Sequence, residues 1–169
     1  MSYPGRILFA KGFGVIAGAW LAQAALAGEF RAGTLTIVQP WSRATPPGAT
    51  VGAAYFEIQN TGAVPDTLLR VECAVARHPT MHSMSMEGGM MHMRPLASVS
   101  VPAHGRLRFD PNGMHIMLED LGRPLKEGEH FSLTFVFEHA GRVTVEVPVR
   151  GMGAISGVED GGTHARTSQ

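Results

Sequence analysis

Two short stretches gather the side chains of this chain that could bind a soft metal: MHSMSMEGGMMHMR, from Met81 to Arg94, and MHIML, from Met114 to Leu118. Together they hold eight of the ten methionines and three histidines, His82, His92 and His115. Both read as strand and turn. Side chains of a strand point alternately to opposite faces, so residues two apart share one. Gly88-Gly89 suits a two-residue hairpin turn, which sets Met86 opposite Met91 and Met84 opposite Met93. His82 is then a diagonal neighbour of Met93, within reach of long side chains on the same face. In the second stretch His115 and Met117 share one face, while Met114, Ile116 and Leu118 share the other. Each stretch can therefore present an imidazole beside a thioether. Two imidazoles and two thioethers, with no thiolate, form a soft donor set that favours Cu(I) over Zn, Mg or Ca.

The spacing His82, ten residues, Met93, twenty-one residues, His115-x-Met117 resembles the metal-binding pattern of the PCu(A)C family of periplasmic copper chaperones. The likeness extends to PWSRATPPGATVGAAYFEIQNTG (Pro40 to Gly62), GMHIMLEDL (Gly113 to Leu121) and VTVEVPV (Val143 to Val149), and so covers about residues 35 to 150. The resemblance implies an all-β, cupredoxin-like Greek-key β-sandwich that binds Cu(I) through His82, Met93, His115 and Met117. It further implies delivery of copper to respiratory oxidases, above all to the CuA subunit of cytochrome c oxidase, with a Sco-type thiol protein as a further partner. The copper site follows from the residues themselves; the delivery comes from the resemblance alone.

The positioning elements come from the rest of the chain. Arg6 and Lys11 precede an apolar run from Phe13 to Ala25 and the small-residue triplet Ala25-Leu26-Ala27. This is the pattern of a secretory signal cut after Ala27, and it points to the periplasm. The run is shorter than the ~20 apolar residues a bilayer span needs, so no stable membrane insertion is expected once it is removed. The residue after the cut is Gly28, not a cysteine that could take a lipid. The expected organisation is a signal at 1–27, a copper-binding domain at 28–150 and a flexible tail at 151–169. Net charge is zero and no run of Lys or Arg occurs, so nothing marks a nucleic-acid or anionic-membrane partner. Cys73 is the single cysteine, which excludes an intramolecular disulfide. Thioethers suit an oxidising compartment because, unlike thiols, they form no disulfides.

No window keeps a helical period, and strands recur at the spacing of an all-β sandwich or barrel. Expected strands are Leu35 to Val38, Val51 to Gln59 and Thr67 to Val75, with a loop from Ser42 to Gly48. Ser98 to Val101 and Arg106 to Phe109 flank Pro102-Ala103-His104-Gly105, a second hairpin signal. Asp110-Pro111-Asn112-Gly113 leads directly into MHIML. Phe131, Leu133, Phe135 and Phe137 alternate clearly, as do Val143, Val145, Val147 and Val149.

Met84, Met86, Met90 and Met91 read as packing or hairpin-surface residues, one of which could serve as a transient ligand during copper hand-over. His92 has the opposite parity to Met93 and should point away. His78, His104, His130, His139 and His164 lack a paired Met at strand spacing and read as surface or loop residues. Cys73 reads as a small buried residue, and Met152 and His164 alone do not make a second copper site in the tail. The function expected is a metallochaperone, a binding protein and not an enzyme. Copper sequestration or resistance without delivery, and an electron-transfer cupredoxin with Cys73 as its thiolate, are the alternatives.

Overall fold

The computed structural model describes residues 29–157, so the expected signal segment and the end of the expected tail lie outside the described residues. Eleven strands follow in order: β1 (Glu29–Ala32), β2 (Leu35–Arg43), β3 (Val51–Asn60), β4 (Asp66–Cys73), β5 (Ala76–Glu87), β6 (Met90–Leu96), β7 (Val99–Val101), β8 (Arg106–Phe109), β9 (His115–Leu121), β10 (His130–Phe137) and β11 (Arg142–Arg150). The described residues form no helix. Their main path through one mixed sheet is β6-β5-β9-β3-β2-β11-β10-β4-β7, with β1 added to β2 and β8 to β3. All pairs are antiparallel except the short β2–β11 contact, where Ser42 lies beside Val149 and Arg43 beside Arg150. There the sheet folds over and its two wings face each other as a cupredoxin-like sandwich.

Period-two burial explains the closure. Phe131, Leu133, Phe135 and Phe137 of β10 and Val145, Val147 and Val149 of β11 are buried, as their alternation requires. They meet Ile37, Ala54, Phe56, Ile58, Ile116 and Leu118 from the other wing in one core. Phe56 stacks on Phe109 at 4.3 Å and meets Phe135 edge-on at 4.6 Å, a contact between the wings.

Several sequence expectations are corrected here. The first long strand does not stop before Pro40-Trp41 but runs on through Ser42 and Arg43. A bulge accommodates the proline, with a register shift between Val38 and Trp41 and a φ of 49° at Gln39, and bulges are where a strand tolerates Pro. The strand expected to reach Val75 ends at Cys73. β7 and β8 do not pair with each other: β7 pairs with β4, and β8 with β3. Pro102-Ala103-His104-Gly105 carries the chain from one wing to the other, from Val101 beside Asp66 of β4 to Arg106 beside Gln59 of β3. Within the expected tail, residues 151–157 fold back on β2, where Arg43 Nε donates to the Ala154 carbonyl at 2.7 Å.

Asp66 clamps the β10–β11 turn. Its carboxylate accepts from the backbone N–H groups of Thr67 (2.7 Å), His139 (3.0 Å) and Ala140 (2.9 Å). Burial would push its pKa up, but these hydrogen bonds outweigh it and hold the carboxyl below its ordinary range. A carboxyl depressed in the fold adds stability at pH above its unfolded value, and that stability is lost as pH falls through the folded one. Asp66→Ala is therefore expected to cost about 2–3 kcal/mol at neutral pH. In urea unfolding, the gap to the wild type should shrink as pH drops below about 4.

Candidate metal centre

Strand register assembles the site. β5 lies between β6 and β9. Against β9 it sets His82 opposite His115 and Thr80 opposite Met117. Against β6 it sets Met84 opposite Met93 and Met86 opposite Met91. Residues opposite one another in an antiparallel ladder share a face. Thr80, His82, Met84, Met86, Met91, Met93, His115, Met117 and Glu119 thus all occupy one side of this three-strand patch. The other side sends Met81, Ile116 and Leu118 into the core. Gly88 and Gly89 turn the hairpin with φ of 60° and 80°, the left-handed pair a type I′ turn requires. The register matches the sequence expectation, and His92, opposite Ser85, lies on the other face.

His115 owes its position to a loop. β8 runs along Phe56–Gln59 of β3 and β9 along Val51–Ala54, so both follow one line beside β3. Asp110 to Gly113 bulges out between them without reversing the chain. The loop is closed by Asp110 N donating to Met114 O at 2.7 Å and by Asn112 N donating to Asp110 Oδ1 at 2.9 Å. Its Gly113 carbonyl accepts from Met84 N at 3.2 Å and lies 3.3 Å from His115 Nδ1. One carbonyl thereby ties the hairpin to the loop and orients an imidazole.

The rings of His82 and His115 have centroids 5.9 Å apart and planes inclined by 35°. Two imidazoles sharing an ion with nitrogen–metal bonds of about 2 Å have centroids roughly 5–6 Å apart. The pair thus stands at sharing distance.

Hydrogen bonds determine which nitrogen each ring presents. His115 Nδ1 donates to the Gly113 carbonyl, which leaves Nε2 with its lone pair. The Thr80 hydroxyl donates its one proton to Glu119 Oε2 at 3.1 Å. Toward His82 Nε2, 3.1 Å away, that hydroxyl can then only accept. His82 therefore carries its proton on Nε2 and presents a bare Nδ1, which is buried with no hydrogen-bond partner. A buried lone pair without a donor is costly, and a bare imidazole nitrogen is the form that a metal ion takes as a ligand. Outer partners commonly set the tautomer of a ligating histidine in this way. Burial, opposed by the Gly113 hydrogen bond and reinforced by the neighbouring His82, holds His115 below the ordinary histidine range, which favours the neutral form that metal coordination requires.

Beside His115 and Met117 opens a cleft of about 290 Å³ whose wall includes Met84, Tyr55 and Arg43. His115 is 5% exposed, whereas Met93 is 46% exposed, so the site joins a buried imidazole to an accessible thioether. Met84, outside the ligand set that the family resemblance implies, lines the cleft with His115 and Met117. Thr80 and Glu119 have no role in the sequence reading, although T-x-H and M-x-E spacing puts each on the ligand face. Cys73 is elsewhere, on β4 opposite Leu133 of β10. It is half-buried, and burial pushes its thiol up, away from the thiolate form. His78 and His139 are exposed and face Asp120 and Asp66. His164 lies outside the described residues. Among the described residues no group of three or more His, Cys, Asp or Glu side chains could hold a metal.

Fold and site together define a domain of the PCu(A)C type. The chain is similar to the solved apo PCuAC domain of PmoF2 (28% identity, TM-score 0.66, covering 76% of this chain and 98% of that one). It is also similar to the copper-bound PCuAC domain from PmoF2 (28%, 0.63, 73% and 97%). A third similar structure is CuI-DR1885 from Deinococcus radiodurans (28%, 0.58, 81% and 89%). The family described as "Putative lipoprotein LpqE-like" matches residues 35–149, and the chain belongs to it. Over 115 residues, 68% of each protein, the chain is 30% identical to "Putative lipoprotein Lxx21020" of Leifsonia xyli subsp. xyli (strain CTCB07).

In metal-free protein, nitrogen-15 imidazole spectra are expected to find His82 protonated on Nε2 and His115 on Nδ1. Thr80→Val removes the acceptor and should release His82 into a mixture of tautomers while His115 is unchanged. Finding both rings in the same tautomer in the wild type would contradict the hydrogen-bond assignment.

Proposed function

We propose that this chain is an exported Cu(I) metallochaperone that holds one ion tightly through His82, Met93, His115 and Met117 and delivers it to the CuA centre of a respiratory oxidase. The observation that carries the reading is the buried, unpartnered Nδ1 of His82 facing His115 on a surface otherwise furnished with thioethers. Copper-bound relatives of the same fold support it, and the lipoprotein names of the sequence relatives support export. The work is ligand exchange, with no bond made in an organic substrate. Imidazole and thioether are neutral donors that leave the ion's charge in place, so a thiolate-bearing acceptor such as an apo-CuA site, or a Sco-type thiol protein, can draw it off.

The half-exposed Met93 favours hand-over above storage, because an incoming ligand can displace it without unfolding the site. An electron-transfer cupredoxin needs a His₂Cys set, and a protonated Cys73 on β4 does not serve it.

Anaerobic Cu(I) competition against a chromophoric chelator should give one tight equivalent for the wild type, lost in Met93→Ala/Met117→Ala and kept in Cys73→Ser. Loaded protein should transfer copper to an apo-CuA domain. Acid should weaken binding, because a proton competes with the metal for His115, and the loss should set in below the ordinary histidine range, since burial holds that imidazole down. Tight binding without any transfer would favour sequestration, and affinity unchanged at pH 5 would count against imidazole ligation.

A further inference from the structure

The β5–β6 hairpin carries thioethers that neither the core nor the four-ligand site absorbs. Met81 is 5% exposed and fills the core, and Met114 packs against it. Met86 and Met91 are different: they are 67% and 65% exposed and lie directly opposite each other. The pairing of β9 with β5 ends at His82 and His115, and the last backbone tie is Met84 N to the Gly113 carbonyl, so the hairpin beyond Met84 is a two-stranded ribbon projecting past its neighbour. Side chains there have no core to fill. One face bears Met84, Met86, Met91 and Met93 in two cross-strand pairs. The other bears the polar set, in which Arg94 donates to both oxygens of Glu87 at 3.0 and 3.1 Å and Ser85 donates to Glu87 at 3.1 Å. Met90, 65% exposed, stands apart on that second face opposite Glu87, so Met86 and Met91 are the exposed thioethers that oppose each other, and packing does not explain their exposure.

We propose that Met86 and Met91, with Met84 and Met93 as shared inner ligands, form a second, weaker Cu(I) station on the ribbon, through which copper enters and leaves the His82–His115 site. Directly opposed residues have Cβ atoms about 4.5–5.5 Å apart, and long side chains also reach their diagonal neighbours. Methionine has three rotatable bonds beyond its backbone, so two opposed thioethers converge readily on one ion at sulfur–metal distances near 2.3 Å. Met93 is opposite Met84 and diagonal to both His82 and Met86, and so adjoins both stations. The ion moves by exchange: one Cu–S bond forms from a thioether lone pair as another Cu–S or Cu–N bond breaks. Copper stays Cu(I) throughout, and no proton or electron is transferred. The thioether-only station is also indifferent to mild acid, since it contains no group that titrates near neutrality.

This inference rests on the Cu(I) reading of the inner site, and its test separates the two. Anaerobic Cu(I) titration and transfer to a chelator are compared for the wild type, Met86→Leu/Met91→Leu and His82→Ala/His115→Ala. Leucine keeps the apolar volume and removes the sulfur at exposed positions where folding is not at stake. Expected are two equivalents in the wild type, loss of the weaker one alone in the Leu variant together with slower transfer, and retention of the weaker one alone in the Ala variant. Methyl NMR signals of Met86 and Met91 should shift with the second equivalent. One equivalent and the same transfer rate in the wild type and the Leu variant would overturn the station while leaving the inner site standing. Loss of both equivalents in the Leu variant would overturn the division into two stations. No binding in the wild type would overturn both readings.

Discussion

The alignment of β5 with β9 is the constraint on which the site depends. A slip of one residue would send His82 and Met84 to the opposite face, and His82 would no longer stand opposite His115. The core prevents that slip: Met81, Ile116 and Leu118, the alternating neighbours of the ligands, are buried, and Ile116 pairs with both Met81 and Ala54. The same alternation that builds the sandwich therefore aims the imidazoles. The Gly113 carbonyl adds a second lock, since it holds Met84 N and His115 Nδ1 together.

The two sides of the site differ in rigidity. Each imidazole is oriented by an outer partner, His82 through Thr80 and Glu119 and His115 through Gly113. Of the two thioethers, Met93 stands half-exposed on the hairpin, and Met117 is partly buried on β9. A fixed, buried pair of nitrogens beside accessible sulfur suits an ion that must be held and then released. The cleft wall carries no carboxylate and does carry the cationic Arg43, an arrangement that disfavours a hard divalent ion. Arg43 is itself steadied over the rings of Trp41 and Tyr55, at 5.9 and 5.8 Å.

What the sequence disclosed and what it concealed follow a physical line. The hairpin pairs Met84–Met93 and Met86–Met91 are legible because Gly88-Gly89 and a two-residue period determine them locally. The pairing of His82 with His115 joins strands distant in the chain, and no local signal carries it. Pro102-Ala103-His104-Gly105 has the composition of a hairpin turn, but composition cannot say that Val101 belongs with β4 and Phe109 with Phe56 on the other wing. Pro40 marks a strand end by rule, yet the bulge at Gln39 absorbs it. Thr80 and Glu119 had the right parity, but only the fold brings the hydroxyl to the ring and the carboxylate to the hydroxyl.

X-ray absorption of the Cu(I)-loaded protein at one equivalent tests the mixed imidazole and thioether centre most directly. The expected first shell contains two nitrogen scatterers near 2.0 Å and two sulfur scatterers near 2.3 Å, with the sulfur contribution reduced when Met93 and Met117 are replaced. A shell of nitrogen and oxygen alone, or one whose sulfur disappears in Cys73→Ser, would contradict it.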